Sequence, residues 1–141
     1  MKLRRAKKLS HDLFGAILAG DAGRVRAVLR RGASPARPFG AGTTPLYLAA
    51  VQGEAEVVRV LLAAGAAPDA ESAGPGSEGT PLCAAACWGH TEAVRHLLAH
   101  GADPALREDR GTGLTPLEWA DAGPHPETAG VLRAAGASPA E

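Results

Sequence analysis

One tripeptide returns at nearly even spacing along the chain, and this internal repetition restricts the fold more than any other feature. Thr-Pro-Leu begins at residues 44, 80 and 115, and Gly-Ala begins at residues 32, 65, 101 and 136. Within each unit, a turn residue lies eight positions after the proline and twelve positions before the Gly-Ala pair. Only the connection before each threonine varies in length. A period of this size is typical of proteins built from stacked supersecondary units.

Each unit predicts two short helices joined by a reversing turn. Threonine before proline favours a helix start, because the hydroxyl accepts a free backbone N–H and proline fits the first helical turn. Glycine at 53 and at 89 allows the turn, and apolar residues then recur at three- and four-residue spacing in 54–64 and 90–100. A helix pair of this size cannot bury its own apolar face, so neighbouring pairs must stack. We therefore predict an all-α solenoid.

The pattern resembles the ankyrin repeat family. The resemblance is carried by GTTPLYLAA and GEAEVVRVLLAAGA within residues 42–66, and by GTPLCAAACWGHTEAVRHLLAHGAD at residues 79–103. A looser copy covers 113–137, and residues 13–34 resemble an N-terminal capping unit without Thr-Pro. The resemblance implies a single domain over 1–141 with repeats at about 10–41, 42–77, 78–112 and 113–141, preceded by a basic N-terminal arm at 1–9.

The connection APDAESAGPGSEGT at residues 67–80 is longer than its counterparts. Its three glycines and two prolines predict a loop without a regular element. In the family such connections project as finger loops, so the resemblance makes this enlarged loop a candidate contact surface.

The resemblance also implies a concave groove, lined by the inner helices and the finger loops, in which a partner binds. Trp88 and Cys87 directly precede a turn glycine, and Trp88 is expected to be the main apolar anchor, whereas Cys83 is expected to pack inside the stack. His90 and His125 match the turn histidine of the family, which implies structural hydrogen bonds. The candidate groove residues are Phe39, Tyr47, Leu48, Val51, Gln52, Cys87, Trp88, Glu118 and Trp119.

Two functions follow from this interpretation. The first is a scaffold or binding module whose partner is another protein. The alternative is a cofactor-independent enzyme of a bacterial biosynthetic pathway, performing acid–base dehydration, conjugate addition or cyclisation on a small apolar molecule. Its proton-handling groups would be Tyr47, Glu118, Asp121 and His90. The Ala-, Gly- and Arg-rich composition is typical of a high-GC bacterium, in which small stand-alone proteins often serve such pathways.

The motifs of cofactor and metal chemistry are not found in the sequence. There is no phosphate-cradling glycine loop, no cluster of histidines and cysteines at metal-ligand spacing, and no nucleophile elbow. No cofactor and no metal site are therefore predicted.

The charges are distributed unevenly, although the net charge is zero. Residues 1–37 hold ten of the 15 basic and two of the 15 acidic residues, which leaves five basic and thirteen acidic residues in the remainder. This gradient predicts association with an acidic partner, either another protein or the acidic end of a second copy. Aromatic residues are not interleaved with the basic ones, which argues against nucleic acid.

The remaining features predict a cytoplasmic protein. No apolar run approaches the roughly 20 residues needed to span a membrane. The apolar stretch at 13–20 is too short for a signal peptide and is required by the repeat pattern. Cys83 and Cys87 lie four apart on one helix, a poor geometry for a disulfide, so reduced thiols are expected.

Overall fold

A computed structural model describes residues 2–75 and 77–137 and consists of stacked helix pairs, as the repeat pattern predicts. The helices are α1 (Lys2–Leu18) with α2 (Ala22–Arg30), α3 (Pro45–Gln52) with α4 (Ala55–Ala63), α5 (Pro81–Cys87) with α6 (Thr91–Ala99), the single-turn α7 (Glu108–Gly111), and α8 (Pro116–Ala122) with α9 (Pro126–Ala134). None of the helices in these ranges is long and apolar enough to cross a membrane. The all-α solenoid is confirmed.

The helices form two layers. The inner helices α1, α3, α5 and α8 contact one another in chain order, and so do the outer helices α2, α4, α6 and α9. The core lies between the layers and is built mainly from aliphatic side chains, among them Leu13, Ile17, Leu61, Leu82, Leu97, Leu117 and Leu132. The core is therefore continuous from the first pair to the last.

The predicted helix starts at the Thr-Pro sequences are confirmed. The hydroxyls of Thr44, Thr80 and Thr115 each accept a hydrogen bond from the backbone N–H three residues later, at N–O distances of 3.1, 3.2 and 3.1 Å. Each threonine thereby satisfies a backbone N–H that the helix leaves free, and each proline occupies the first turn. The inner helices α3, α5 and α8 therefore all begin with the same capped turn.

The connection at 67–80 contains regular structure, so the prediction of an irregular loop was wrong there. Strand β1 (Ser72–Gly74) pairs antiparallel with β2 (Ser77–Gly79), with Gly74 opposite Ser77. The hairpin is anchored on the preceding connection, because Ala73 N donates to Gly42 O at 3.1 Å and Thr44 N donates to Ser72 Oγ at 3.1 Å. Glycine and proline mark tight turns as well as loops, and the external partners were not visible in the composition.

Helix α1 differs from the other inner helices in length. It has 17 residues, whereas α3, α5 and α8 have eight, seven and seven. The first unit lacks a Thr-Pro start, and buried Leu9 holds the added turns against the stack. The basic residues of the predicted arm at 1–9 are accordingly helical from residue 2 onward, with residues 2–5 exposed.

Candidate functional site

Apolar side chains occupy equivalent positions at the carboxyl ends of the inner helices. Leu18, Val51 and Cys87 each lie two positions before the turn glycine of their unit. Leu18 is 51% exposed, and Val51 and Cys87 are half-buried. Trp88 follows Cys87 and is 62% exposed. Because the inner helices stack in order, these four residues form one strip, here called the apolar row.

Hydrogen bonds between units fix the backbone beneath this row. The Nε2 atoms of His90 and His125 lie 3.1 Å from Val51 O and 3.0 Å from Cys87 O. Since a carbonyl oxygen can only accept, each ring donates its Nε2–H. The structural role predicted for both histidines is confirmed. Gln52 adds a third link, because its Nε2 donates to the carbonyl oxygen of Ile17 at 2.8 Å.

Trp88 is the largest exposed apolar side chain in the described part of the chain. It is the residue that ends α5, with φ −97° and ψ 0°. Within residues 2–75 and 77–137, its indole N–H has no hydrogen-bond partner. A large aromatic ring in this state leaves both its apolar face and its polar N–H available to another molecule.

Trp119, the other tryptophan, lies in a different environment. It is half-buried against the core, and its Nε1 donates to Glu108 Oε1 at 2.8 Å. Glu108 belongs to α7 in the connection before the last helix pair, so this bond ties the connection to α8. The structure therefore places Trp119 among packing contacts.

Glu108 is the centre of a group of titratable side chains that the sequence did not reveal. Burial raises the pKa of Glu108, and the hydrogen bond from Trp119 opposes this shift. Burial also raises the pKa of the Cys83 thiol to about 12, and burial and then the Glu108 charge raise the pKa of Tyr47 and of Cys87. The sequence around Glu108 gives no sign that this glutamate is partly buried. Its neighbours depend on how the connection folds back over α5 and α8.

The space for the Glu108 carboxylate depends on one glycine. Gly79 has φ +117°, and a Cβ built on it would lie 2.2 Å from Glu108 Oε2. A side chain at this position would displace the carboxylate from Trp119. The end of β2 therefore determines where Glu108 lies.

The other carboxylates named for acid–base chemistry are held in structural contacts. Glu118 Oε1 accepts from Thr115 N at 3.0 Å and from Arg107 Nη1 at 2.9 Å. The Thr115 backbone hydrogen bond, and then the Arg107 charge, hold the pKa of Glu118 below its usual value. Both carboxylate oxygens of Asp121 accept from Arg133 Nη2 at 3.1 Å.

The remaining candidates are spread along the stack. Tyr47 is only 8% exposed, and Leu48 is half-buried against the core. Phe39 lies near the first helix pair, where its ring meets that of Phe14 edge-on, with centroids 5.2 Å apart. Val51, Cys87 and Trp88 thus share the apolar row with Leu18 at equivalent positions of successive units, and sequence reasoning missed Leu18. Its equivalence to Val51 and Cys87 relative to the turn glycine was the signal that could have found it.

Three further findings concern metal ions and similarity to known proteins. In the part of the chain that the structure describes, no group of three or more His, Cys, Asp or Glu side chains is placed to hold a metal ion. The family model of the Ankyrin repeat matches residues 41–73 and 78–109, which contain the second and third helix pairs. Among curated proteins, no match to the chain is found.

Proposed function

Because this chain is an ankyrin repeat protein, we propose that it binds another protein through the apolar row, with Trp88 as the anchor. Ankyrin repeats are generally protein-interaction modules. The observation that carries the proposal is the 62% exposure of Trp88 on a stack with a continuous core. The proposal treats residues 1–141 as one domain of four units, with the boundaries predicted from the sequence.

The apolar side chains of the row suit an apolar surface on a protein partner better than a highly charged surface. Tryptophan is enriched among the residues that dominate binding energy, and truncating such an anchor typically costs about 2 kcal/mol or more. Cys87 and Val51 offer apolar surface on the same and the neighbouring unit, and Leu18 extends the row to the first unit, so a partner that covers the row excludes water from the anchor. The inter-unit bonds from His90 and Gln52 hold the row in place, so little order has to be gained on binding.

The other predicted groove residues have supporting roles in this proposal. Trp119 and Gln52 hold the groove in shape through their hydrogen bonds to Glu108 and Ile17. Leu48 and Tyr47 form the floor beneath a bound partner. Phe39 and Glu118 lie at the two ends of the groove.

The test compares two exposed apolar residues of matched accessibility. Leu3 is 63% exposed on α1 and lies about 22 Å from Leu18 along the helix axis. Proteins retained on immobilised wild type are identified and purified, and their affinities are measured by calorimetry. We expect Trp88→Ala to abolish binding of the true partner and Leu3→Ala to leave it intact. A partner that binds both variants equally well would exclude the apolar row.

Glu108 favours a second candidate function, cofactor-free acid–base catalysis on a small apolar molecule. A carboxyl group with a raised pKa beside Tyr47 and Cys87 suits proton transfer, because it can hold a proton at a higher pH than an ordinary carboxyl group. In this version Glu108 takes the place that the sequence suggested for Glu118 and Asp121, and the bacterial biosynthetic context remains a proposal. Turnover of an intermediate of a neighbouring biosynthetic pathway, lost in Glu108→Gln but retained in Glu118→Gln, would support it. Equal turnover in both variants would exclude it.

We also propose weak self-association between the basic first unit and the acidic remainder of a second copy, in the cytoplasm. The charge gradient supports the self-association. The two free cysteines, Cys83 and Cys87, support the cytoplasmic location. Attraction between exposed charges disappears at about 1 M salt, where the Debye length is about 3 Å. Sedimentation velocity that is unchanged between low and high salt would contradict the proposal.

A further inference from the structure

A cavity of about 570 Å³ opens between the middle turns of α1, at residues 7–14, and the connection that follows α2. Its volume falls in the range of roughly 300–1,000 Å³ that is usual for ligand pockets. On α1 its lining residues lie between positions 7 and 14, and the last of them, Phe14, is one helical turn before Leu18 of the apolar row. The side chains that give it its character are Lys7, His11, Phe14, Arg37 and Phe39.

The cavity exists because α1 continues beyond the point at which the other inner helices begin. Residues 7, 11 and 14 follow helical spacing and therefore share one face of α1. That face is turned towards the connection at 37–43. The extension therefore creates a wall that the shorter helices α3, α5 and α8 do not provide.

The base of the cavity is aromatic and well supported. The rings of Phe14 and Phe39 meet edge-on at 5.2 Å, with an interplanar angle of 70°. Phe39 is buried, and its backbone forms a tight turn in which Phe39 N donates to Thr43 O at 2.7 Å and Gly42 N donates to Phe39 O at 2.9 Å. An apolar group that enters the cavity would contact a fixed aromatic surface.

The rim of the cavity is positively charged and not neutralised from within the described residues. No carboxylate in that part of the chain lies within 4.0 Å of the Lys7 ammonium or the Arg37 guanidinium. Asp12, the acidic residue of α1, is engaged at 3.5 Å by Lys8 and at 3.3 Å by Arg31.

The first turns of α1 add to this positive potential. Lys2, Arg4 and Arg5 are exposed, and the first turn of the helix holds no acidic side chain. These cations lie on the same helix as Lys7 and attract an acidic segment towards this end of the stack. The potential extends along several residues, more than a single small anion can meet.

We propose that this cavity binds an acidic segment of a partner protein in which an aromatic or large aliphatic side chain lies beside the carboxylates. The apolar side chain packs on Phe14 and Phe39, while the carboxylates pair with Arg37 and Lys7. A guanidinium matches a carboxylate through two parallel hydrogen bonds, which makes Arg37 the stronger contact. This inference rests on the proposed function, since it assumes a protein partner, but it uses a surface separate from the apolar row.

The test uses defined peptides, so that no natural partner has to be known. Fluorescence anisotropy measures binding of a labelled acidic peptide with one central phenylalanine. Two control peptides replace that phenylalanine by alanine, or the acids by their amides. Unlabelled benzoate serves as a competitor that carries the same chemistry without a peptide chain.

Two charge-matched double variants locate the site. Lys7→Gln with Arg37→Gln removes the rim cations. Arg24→Gln with Arg30→Gln removes two exposed charges of α2 outside the cavity. We expect the rim variant to weaken binding by about tenfold or more, because two charge-assisted contacts are lost, and the α2 variant to weaken it by less than about threefold. Far-UV circular dichroism confirms that both variants fold.

The proposal is overturned if the wild type does not bind the peptide, or if both double variants lose affinity equally. Retained affinity for the alanine peptide would show that the aromatic base is not used. Benzoate that competes as well as unlabelled peptide would assign the cavity to small aromatic acids instead of a protein. Trp88→Ala should bind this peptide normally, so failure of the peptide test and failure of the apolar row can be told apart.

Discussion

Trp119 donates its indole N–H to Glu108 Oε1 across 2.8 Å and is held against the core, whereas the indole of Trp88 is 62% exposed. The two tryptophans of the chain lie on neighbouring units but have different surroundings. Their substitutions should therefore separate stability from recognition.

We expect Trp88→Ala to change the free energy of unfolding by no more than about 0.5 kcal/mol, as for most exposed residues. Trp119→Ala should lower it by about 2 kcal/mol or more, because it removes core packing and leaves Glu108 without its donor. Urea denaturation of both variants measures the difference. Equal losses would show that Trp88 is part of the packed core.

The stability of the protein should respond to the ionisation of Glu108. Burial raises the pKa of Glu108 above its ordinary value of 4.5, so the folded protein retains this proton at a pH where the unfolded chain has released it. The contribution of Glu108 to stability is therefore greatest below pH 4.5 and declines as the pH rises through the raised pKa. Glu108→Gln should remove that decline, and its stability relative to wild type should increase from pH 4 to pH 7.

Glu118→Gln is the matched control for this pH series, because the shift has the opposite sign. The pKa of Glu118 is held below 4.5, chiefly by the hydrogen bond from Thr115 N. Its stabilisation is present above pH 4.5 and is lost as the pH falls through the lowered pKa. The variant should be less stable than wild type at pH 7, and the difference should diminish in acid. Parallel pH profiles for the two variants would be inconsistent with these assignments.

The two thiols should differ in their reaction with a disulfide reagent such as Ellman's reagent. Cys83 is 1% exposed and its pKa is raised to about 12, whereas Cys87 is half-buried. Because the thiolate is the reactive form, we expect slow labelling of Cys87 in the native protein and labelling of Cys83 only on unfolding. Cys87→Ser should abolish the native reaction and Cys83→Ser should preserve it. The reverse order would contradict the packing of α5.

A glycine pair tests the bonds between units. Gly53 has φ +72°, and a Cβ there would lie 2.5 Å from His90 Nδ1, so Gly53→Ala should cost about 1–3 kcal/mol through backbone strain and displacement of the ring. Gly130 lies in α9 with open space around its Cβ position, and Gly130→Ala should stabilise the protein by about 0.5–1 kcal/mol. Thermal unfolding of both variants gives the comparison, and a harmless Gly53→Ala would argue against the His90 contact.

Local signals were sufficient to predict the helix pairs. Thr44, Thr80 and Thr115 are each followed by proline, and each caps its helix by accepting from the backbone N–H three residues later. All the partners are local, so no distant contact is needed to recognise these helix starts. The bonds of His90 and His125 were implied by the family resemblance, since their partners Val51 and Cys87 occupy equivalent positions in the preceding unit.

Features that depend on distant partners were missed. The hairpin at 72–79 depends on Gly42 and Thr44, about 30 residues earlier, and α7 depends on how its connection folds over Trp119. The raised pKa of Glu108 follows from the same folding. In the candidate site, the exposure of Trp88 depends on the size of its neighbours, which spacing does not report.

The linear stacking of the inner helices sets the distance that one partner must span to contact both the cavity and Trp88. The cavity belongs to the first unit and Trp88 to the third, and α3 lies between them. With packed helices 8–10 Å apart, the lateral separation is roughly 16–20 Å. An extended segment needs about six residues for this lateral separation alone, and more because Trp88 also lies nearer the carboxyl ends of the inner helices. If one segment binds weakly at both the cavity and Trp88, binding at one site raises the effective concentration at the other. The second unit, which lies between them, sets the distance between the two sites.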